Sequence, residues 1–316
     1  MKKISLIMPI YNEEKSLTEL FTRSVSVLAE MLCDYEIIAV NDGSSDNSLE
    51  VLKKLAAKNQ KIKIINFQRN FGQTAAISAC FGSATGDVVI SIDSDLENNP
   101  EDIPHLVEKI NQGYDIVSGW RQKRWQGKFI TRKLPSILAN SLISRITGIK
   151  LHDYGCTLKA YRREMIKEIS LYGEMHRFIP VYAAMGGAKI TEVIVNYQPR
   201  KYGKSNYNLN RTFKVISDLF TVAFLSSYFN RPMHFFGKFG FVSLFSGFLS
   251  GIGMFYLKYI EGVHFVQTPL PLLTIFLIVI GILFILMGLL AEILIRIYYE
   301  SNKKTDYIIK EKINFD

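Results

Sequence analysis

Two aspartates at the end of an apolar run are the residues of this chain best suited to chemistry. Residues 88–92 predict a buried strand, and Asp93, Ser94 and Asp95 follow it directly. In an extended backbone the side chains at i and i+2 point the same way, so both carboxylates can reach one cation. Mg²⁺ and Mn²⁺ prefer such oxygen ligands and complete their shells with water and substrate phosphates. The alternative is a solvated turn, which α/β proteins commonly contain.

The elements that must position these aspartates alternate along the N-terminal part of the chain. We predict strands over residues 4–8, 36–40, 62–66, 88–92 and 115–118, and helices over 14–32, 46–58, 74–83 and 101–112. Such alternation predicts an α/β fold with a mostly parallel sheet. In these sheets ligands bind beyond the carboxyl ends of the strands. We therefore expect loops 9–14, 41–46 and 93–99 to meet at one edge.

The C-terminal part has the composition of a membrane protein. Residues 239–257 and 269–291 carry no charged side chain. Each stretch meets the length of roughly 20 residues that a helix needs to cross a bilayer. Two transmembrane helices are the prediction, with a pair of buried core helices as the alternative. Residues 210–229 predict an amphipathic helix that lies in the membrane interface or packs on the N-terminal domain.

Basic residues set the expected orientation. They flank both predicted spans, whereas the connection 258–268 holds one lysine and one glutamate. The positive-inside rule then places both termini in the cytoplasm of a multi-pass protein of the cell (inner) membrane. We predict a cytosolic domain over 1–208, a juxtamembrane helix over 209–232, two spans within 233–297 and a cytosolic tail over 298–316.

The net charge and the cysteines indicate which classes of partner and which cysteine chemistry to expect. The formal charge of +9 fits a protein that lies against anionic membrane lipids or handles phosphorylated substrates. No basic and aromatic motif for nucleic acid is present. The three cysteines are widely spaced and predict free thiols.

A stripe of small residues in the first span (Ser243, Gly247 and Gly251) can pack on the second span or on another subunit, and we expect a homo-oligomer.

The motifs after the predicted strands form a recognisable combination. Pro9-Ile10-Tyr11-Asn12-Glu13-Glu14, Asn41-Asp42-Gly43-Ser44-Ser45-Asp46 and Asp93-Ser94-Asp95 together resemble the inverting nucleotide-sugar glycosyltransferases of the GT-A fold. Later motifs look like the polyprenyl-phosphate glycosyltransferases, which include dolichyl-phosphate mannose synthases and bactoprenol glucosyltransferases. These are Ser118-Gly119-Trp120-Arg121, Arg132 with Ser136, Asp153-Tyr154-Gly155-Cys156 and the basic loop 200–205. The resemblance covers residues 3–205 and implies a Rossmann-like, mostly parallel sheet.

The resemblance also implies roles for matching residues. Asp93 and Asp95 hold Mg²⁺ or Mn²⁺, and Asp153 lies next to the reacting centre, positioning the acceptor or acting as a base. The alternative for Asp153 is the cap of a local turn. The implied roles are grouped by ligand: Pro9, Tyr11, Glu13, Asp42, Asp93, Ser94, Arg200 and Lys204 for the nucleotide sugar; Arg121, Arg132 and Ser136 for the lipid phosphate; Asp95, Asp153 and Arg121 for catalysis.

The function implied is transfer of one hexose from a nucleotide donor to polyprenyl phosphate, such as undecaprenyl or dolichyl phosphate, with inversion. Glucose from UDP-glucose is the expected donor by similarity to the two-span glucosyltransferases. Mannose from GDP-mannose, an amino sugar or a modified arabinose is the alternative. A non-catalytic membrane assembly protein is the second class of function, and the set of acidic and basic residues argues against it.

Overall fold

The structure is a computed structural model that describes residues 2–122, 124, 140–141, 144, 148–167, 169, 175–199, 232–300 and 307–315. It divides into two compact units. The first comprises residues 1–223 with 305–316, and the second comprises residues 224–304.

A twisted sheet with helices on both faces forms the first unit. Among the described residues it has eight strands: β1 Lys3–Ile10, β2 Asp34–Asn41, β3 Ile62–Phe67, β4 Val88–Ser91, β5 Ile116–Trp120, β6 Lys159–Arg162, β7 Ile190–Ile194 and β8 Ile309–Ile313. Their order across the sheet is β7-β5-β6-β4-β1-β2-β3-β8. The pairs among β1 to β4, and β5 with β7, run parallel. The predicted α/β fold with a mostly parallel sheet is therefore confirmed, and the sheet is mixed because three of its pairs are antiparallel.

Helices cover the sheet because alternate strand residues are apolar on both faces. In the described part of this unit, the α-helices with defined bounds are α1 Leu17–Glu30, α2 Ser48–Lys58, α3 Gln73–Ser83, α4 Ile103–Asn111, α5 Arg163–Ile166 and α6 Ile179–Met185. Ile4, Leu6 and Met8 belong to one buried core, while Ile7 and Ile38 belong to the other. Strands buried on both faces read as continuous apolar runs, which explains why the first four were predictable.

Two strands run antiparallel to their neighbours and were not predicted. β6 lies between β4 and β5. β8 pairs with β3 at the edge of the sheet, although its residues follow the two predicted membrane spans in sequence and lie in the segment that we expected to be a tail. The ring of Tyr307 stacks on Phe67 at 5.0 Å, and the Asn314 amide donates to the carbonyl of Ile62 at 2.8 Å.

The second unit is a pair of long apolar helices, α7 Pro232–Tyr259 and α8 Leu270–Glu300. Segments Phe235–Tyr259 and Leu270–Ala291 have mean hydropathies of 1.5 and 3.1, sufficient in length and composition to cross a membrane. The small-residue stripe faces α8 within the same chain. The Ser243 hydroxyl donates to the Leu277 carbonyl at 2.7 Å, and Gly247 lies against Leu277 and Ile278.

Candidate active site

A cavity of about 390 Å³ opens at the carboxyl edge of the sheet. The register pairs Ile10 with Asn41 and Ile7 with Ser91, so the loops after β1, β2 and β4 emerge side by side. This is the meeting of loops that the strand order predicts. Eight of the predicted site residues line the cavity: Pro9, Tyr11, Glu13, Asp42, Asp93, Ser94, Asp95 and Arg121.

Hydrogen bonds join the first two loops into one wall. The backbone N–H of Asn12 donates to Ser44 Oγ at 3.0 Å, and the Asn12 side-chain oxygen accepts from the N–H of Ser45 at 2.8 Å. The N–H of Glu13 donates to Ser48 Oγ at 2.9 Å. Tyr11, at the tip of this wall, keeps 49% of its surface exposed, which leaves its ring accessible to a planar ligand.

Asp42 holds a third loop against this wall. Its carboxylate accepts the backbone N–H of Phe71 at 2.7 Å and that of Gly72 at 2.9 Å. Burial raises the pKa of Asp42, and these two hydrogen bonds oppose the rise. Gly43 has φ of 64°, and a Cβ there would meet the backbone nitrogen of Asn70 at 2.6 Å. Only glycine therefore fits between the two loops.

The two aspartates after β4 lie on the cavity wall. The Gln73 amide donates to Asp93 Oδ1 at 2.8 Å, and the N–H of Glu97 donates to Asp95 Oδ1 at 3.0 Å. Ser94, between them, donates to the Pro9 carbonyl at 3.1 Å. Burial, together with the neighbouring charge of Asp95, raises the pKa of Asp93 to about 6. The pair therefore concentrates negative charge that a cation can neutralise.

This donor set fits Mg²⁺ or Mn²⁺ and does not fit a closed structural metal site. Within the described ranges, no group of three or more His, Cys, Asp and Glu side chains is arranged to hold a metal ion. Magnesium sites commonly use one or two carboxylates and complete the shell with water and substrate phosphates. The carboxylates of Asp93 and Asp95 on the cavity wall would supply such a partial shell.

The positive charge of Arg121 is balanced by two nearby carboxylates. Its Nε donates to Asp153 Oδ2 at 2.8 Å and its Nη2 to Oδ1 at 3.2 Å, while Nη1 lies 3.5 Å from Glu97 Oε2. Burial alone would raise the pKa of Asp153, but the Arg121 guanidinium outweighs it and holds the pKa below its usual range. An ionised, bidentate Asp153 orients Arg121 and is a weak base.

Glu192 on β7 fixes the loop that carries Asp153. Its Oε1 accepts the backbone N–H of His152 at 2.8 Å and that of Asp153 at 3.3 Å. Its Oε2 lies 2.7 Å from His152 Nδ1, and the imidazole stacks on Trp120 at 4.2 Å. The His152 side chain is thus held by Glu192 and Trp120, although most of it stays exposed.

Several cavity residues were missed by sequence reasoning. Glu97 was not predicted because it lies just after the Asp-Ser-Asp motif and belongs to no recognisable motif itself. Lys159 lies in a four-residue strand, where burial lowers its pKa and the carbonyl of Tyr154 accepts from its ammonium at 3.2 Å. Gln73, Thr74, His176 and Arg177 also line or adjoin the cavity. Their spacing in the sequence carries no periodic or motif signal.

The remaining predicted residues lie outside the described part of the chain. They are Arg132 and Ser136, assigned to the lipid phosphate, and Arg200 and Lys204, assigned to the donor phosphates. The predicted juxtamembrane helix over 209–232 also lies almost wholly outside it. These assignments stay predictions.

Comparison with known proteins identifies the family of this site. The model of Glycosyl transferase family 2 matches residues 5–170, which is more than half of the chain. The chain belongs to this family. Its glycosyltransferase character, predicted from the strand-end motifs, is thereby confirmed.

Relatives of this family 2 member match almost end to end. It is 40% identical to the dodecaprenyl-phosphate galacturonate synthase of Rhizobium johnstonii, over 98% of this chain and 92% of the relative. It is 36% identical to the undecaprenyl-phosphate 4-deoxy-4-formamido-L-arabinose transferase of Photorhabdus laumondii, over 99% and 95%. Both names denote polyprenyl-phosphate glycosyltransferases, which confirms the predicted family resemblance.

A solved structure supports the GT-A fold. The glucosyl-3-phosphoglycerate synthase of Mycobacterium tuberculosis, crystallised with Mn²⁺ and uridine-diphosphate-glucose, superposes with a TM-score of 0.55. The superposition covers 71% of this chain and 79% of that one, at 18% identity. At that identity the likeness shows the fold alone, and the fold is the one predicted.

Proposed function

We propose that this chain is a membrane-bound, inverting enzyme that moves one sugar from a nucleotide donor to a polyprenyl phosphate. The observation that carries the proposal is the cavity itself. It combines the Asp93 and Asp95 pair with an arginine that is paired to a carboxylate, at the strand ends of a glycosyl transferase family 2 domain. The two polyprenyl-phosphate transferases that match nearly the whole chain support the choice of acceptor.

The nucleotide end is formed by the wall around Tyr11 and Asp42, and the donor diphosphate then reaches Asp93 and Asp95. A divalent ion held there neutralises the charge of the departing diphosphate. The chain's own contribution is alignment: the joined loops hold the donor in one position, so that the attacking and leaving oxygens lie on opposite faces of the sugar carbon. Inversion of the anomeric centre follows from that single displacement.

The acceptor needs little proton removal. A phosphate monoester has a second pKa of about 6, so most of it is dianionic at neutral pH. A strong general base is therefore unnecessary, which agrees with an Asp153 whose pKa is lowered by Arg121. Asp153 holds the guanidinium in a fixed plane, and Arg121 presents its remaining N–H groups to the lipid phosphate.

The membrane part is proposed to span the bilayer as a hairpin. β8 follows the second long helix and pairs with β3 of the catalytic sheet, so the chain leaves that unit before the first helix and returns after the second. If both helices cross, residues 260–269 lie on the far side. This connectivity supports the expected cytoplasmic location of the catalytic unit and both termini.

The donor sugar is the finer part of the proposal. The relatives act on galacturonate and on 4-deoxy-4-formamido-L-arabinose, which favours a sugar with a charged or nitrogen-bearing substituent over the glucose expected from the sequence. An assay of purified full-length protein with undecaprenyl phosphate, Mg²⁺ and a panel of nucleotide sugars tests both the proposed reaction and the identity of the donor sugar. The panel includes hexuronate, amino-sugar, glucose and mannose donors. Formation of no lipid-linked sugar from any donor contradicts the proposed function.

A further inference from the structure

A second wall of the cavity lies beside Asp93 and has no role in the assignments above. It consists of the start of α3 and the single 3₁₀ turn Met175–Phe178 that precedes α6. Thr74 Oγ1 lies 2.7 Å from His176 Nδ1, and both side chains are buried. This contact joins the turn to α3 across about a hundred residues of sequence. A buried hydrogen bond between two such distant segments holds them in one relative position.

Arg177 is held between two anchors in this wall. On one side His176 is fixed by Thr74. On the other, Phe178 is 2% exposed and packs in a small core with Leu151, Tyr154 and Val181. Because both neighbours are buried and packed, the backbone at Arg177 has little freedom, and its side chain lines the cavity. The two neighbours therefore fix the position from which Arg177 contributes a positive charge to the cavity wall.

An unbroken series of contacts connects this wall to the nucleotide end. Asp42 accepts the N–H groups of Phe71 and Gly72, directly before α3. Gln73, the next residue, donates to Asp93, and Thr74 then meets His176. The turn carrying Arg177 is thus attached to the donor side of the aspartate pair. Arg121 has its own contacts elsewhere, with Asp153 and Glu97.

We propose that Arg177 is a specificity-determining residue that binds an anionic oxygen of the nucleotide-sugar donor. The inference rests on the proposed function, since it requires a nucleotide sugar in this cavity. Two groups of one donor share the required chemistry: the diphosphate, and a carboxylate on the sugar. Guanidinium forms bidentate contacts with either. Thr74 and His176 act through Arg177 as positioning residues.

Donor binding without acceptor tests the inference directly. Full-length protein in detergent with Mg²⁺ is titrated with UDP, a neutral UDP-hexose and a UDP-hexuronate, and with the GDP series if UDP does not bind. We expect Arg177→Ala to weaken donor binding by about 10- to 100-fold, and Arg177→Lys by less, because a single charge-assisted contact pair is removed. Arg163→Ala, an exposed arginine outside the cavity, is the matched control and keeps wild-type affinity.

The series of ligands distinguishes the two anionic groups. Equal weakening of UDP and of both nucleotide sugars assigns Arg177 to the diphosphate. Weakening confined to the hexuronate assigns it to the sugar carboxylate. Thr74→Val should weaken the same ligands by several-fold and Thr74→Ser should restore binding, since only serine keeps the hydroxyl that meets His176.

The transfer reaction separates this inference from the proposed function. Arg177→Ala is expected to raise KM for the donor and to leave KM for undecaprenyl phosphate unchanged. Wild-type donor affinity in folded Arg177→Ala, or a change confined to the lipid KM, overturns the inference while the proposed function stands. Donor binding without any lipid-linked product overturns the proposed acceptor and leaves Arg177 in place. A wild-type protein that binds no nucleotide of either series refutes both.

Discussion

The two ends of the central sheet bury carboxylates in opposite ways. At the amino end, Glu36 on β2 accepts from Ser5 Oγ at 2.6 Å and from the N–H of Thr85 at 2.7 Å. Lys3 and Lys63 lie 3.2 and 3.1 Å from its other oxygen. Burial alone would raise the pKa of Glu36, but these partners outweigh it and hold the pKa at about 2. At the carboxyl end, burial and Asp95 raise the pKa of Asp93 to about 6.

The difference separates a structural charge from a functional one. A buried carboxylate that receives two hydrogen bonds and two ammonium groups stabilises the fold when ionised. At the other end of the sheet burial and the charge of Asp95 raise the pKa of Asp93, so a bound cation would favour the ionised form of both carboxylates. The strained pair lies in the cavity, and the satisfied one lies outside it. Electrostatics therefore points to the same edge as the strand order.

The Asp95→Asn substitution tests whether the carboxylate pair at the carboxyl end of the sheet is functional. It should have the largest effect on the transfer rate. Removing a charge from the predicted metal pair is expected to lower the transfer rate by about 10³-fold, which corresponds to about 4 kcal/mol of transition-state free energy. Folding should survive, because the substitution relieves the repulsion with Asp93. The measurements are lipid-linked sugar formation and thermal unfolding with and without Mg²⁺.

The matched control for that variant is Asp34→Asn, an exposed aspartate on β2, which should transfer sugar at the wild-type rate. In wild type, Mg²⁺ with the nucleotide should raise the melting temperature, and Asp95→Asn should lose that rise. A variant that keeps both the rise and the activity would rule out the metal assignment.

Arg121→Ala removes the cation of the second carboxylate cluster in the cavity and should have the next largest effect. It leaves Asp153 buried without its bidentate partner, and breaking a buried ion pair costs about 3–5 kcal/mol of stability. Activity should fall about 100-fold in whatever protein remains folded, because the predicted phosphate contact is lost. Chemical denaturation and the transfer assay measure the two effects.

The double variant Arg121→Ala with Asp153→Asn refines this prediction. It removes the unpaired charge, so stability should recover while activity stays low. Recovery of activity together with stability would show that the pair is structural only.

Site residues were predictable where they follow a strand with a clear apolar sequence pattern. They were unpredictable where they lie in a strand or turn without such a pattern. The runs before Pro9, Asp42 and Asp93 are continuous and apolar, so strand ends and their loops could be read directly. β6 has four residues, with Lys159 inside an apolar stretch, and offers no period to detect. Arg177 lies on one 3₁₀ turn whose partner, Thr74, is distant in sequence. Only the tertiary fold brings these residues to the cavity.

The edge strand β8 shows the same limit. Its sequence, Ile309–Ile313, has an isoleucine at each end and three consecutive charged residues between them, so it is short and shows no alternation that would predict a half-buried strand. Its pairing partner β3 is far away in the chain, and the Lys53–Glu311 ion pair at 3.3 Å joins residues that no local pattern connects. Long-range pairing is the information that one sequence does not contain.

Glu36→Gln tests the structural half of the comparison. It should destabilise the fold by about 1–3 kcal/mol at neutral pH, because two ammonium groups lose their buried counter-charge. The transfer rate should not change, since Glu36 lies outside the cavity. Urea unfolding and the transfer assay check these outcomes, and a large loss of activity at wild-type stability would contradict the division between the two ends.

The pH dependence of that difference follows from the lowered pKa. The stabilisation is fully present above the unfolded-state value near 4.5 and is lost as pH falls through the folded-state value of about 2. Wild type and Glu36→Gln should therefore converge in stability at acidic pH. For Asp93 the sign is reversed: its contribution becomes less favourable as pH rises from about 4 towards 6.

Asp34→Asn should have the smallest effect on stability. Asp34 lies two residues before Glu36 on β2, and its carboxylate pairs with Lys61 at 2.8 Å. Both side chains are about half exposed, so water screens the pair and its loss should cost about 0–1 kcal/mol in urea unfolding. A cost as large as that of Glu36→Gln would show that charge pairing alone stabilises this end of the sheet. The expected gap between neighbouring positions instead assigns the stabilisation to burial together with hydrogen-bond and ionic partners, as Glu36 has them.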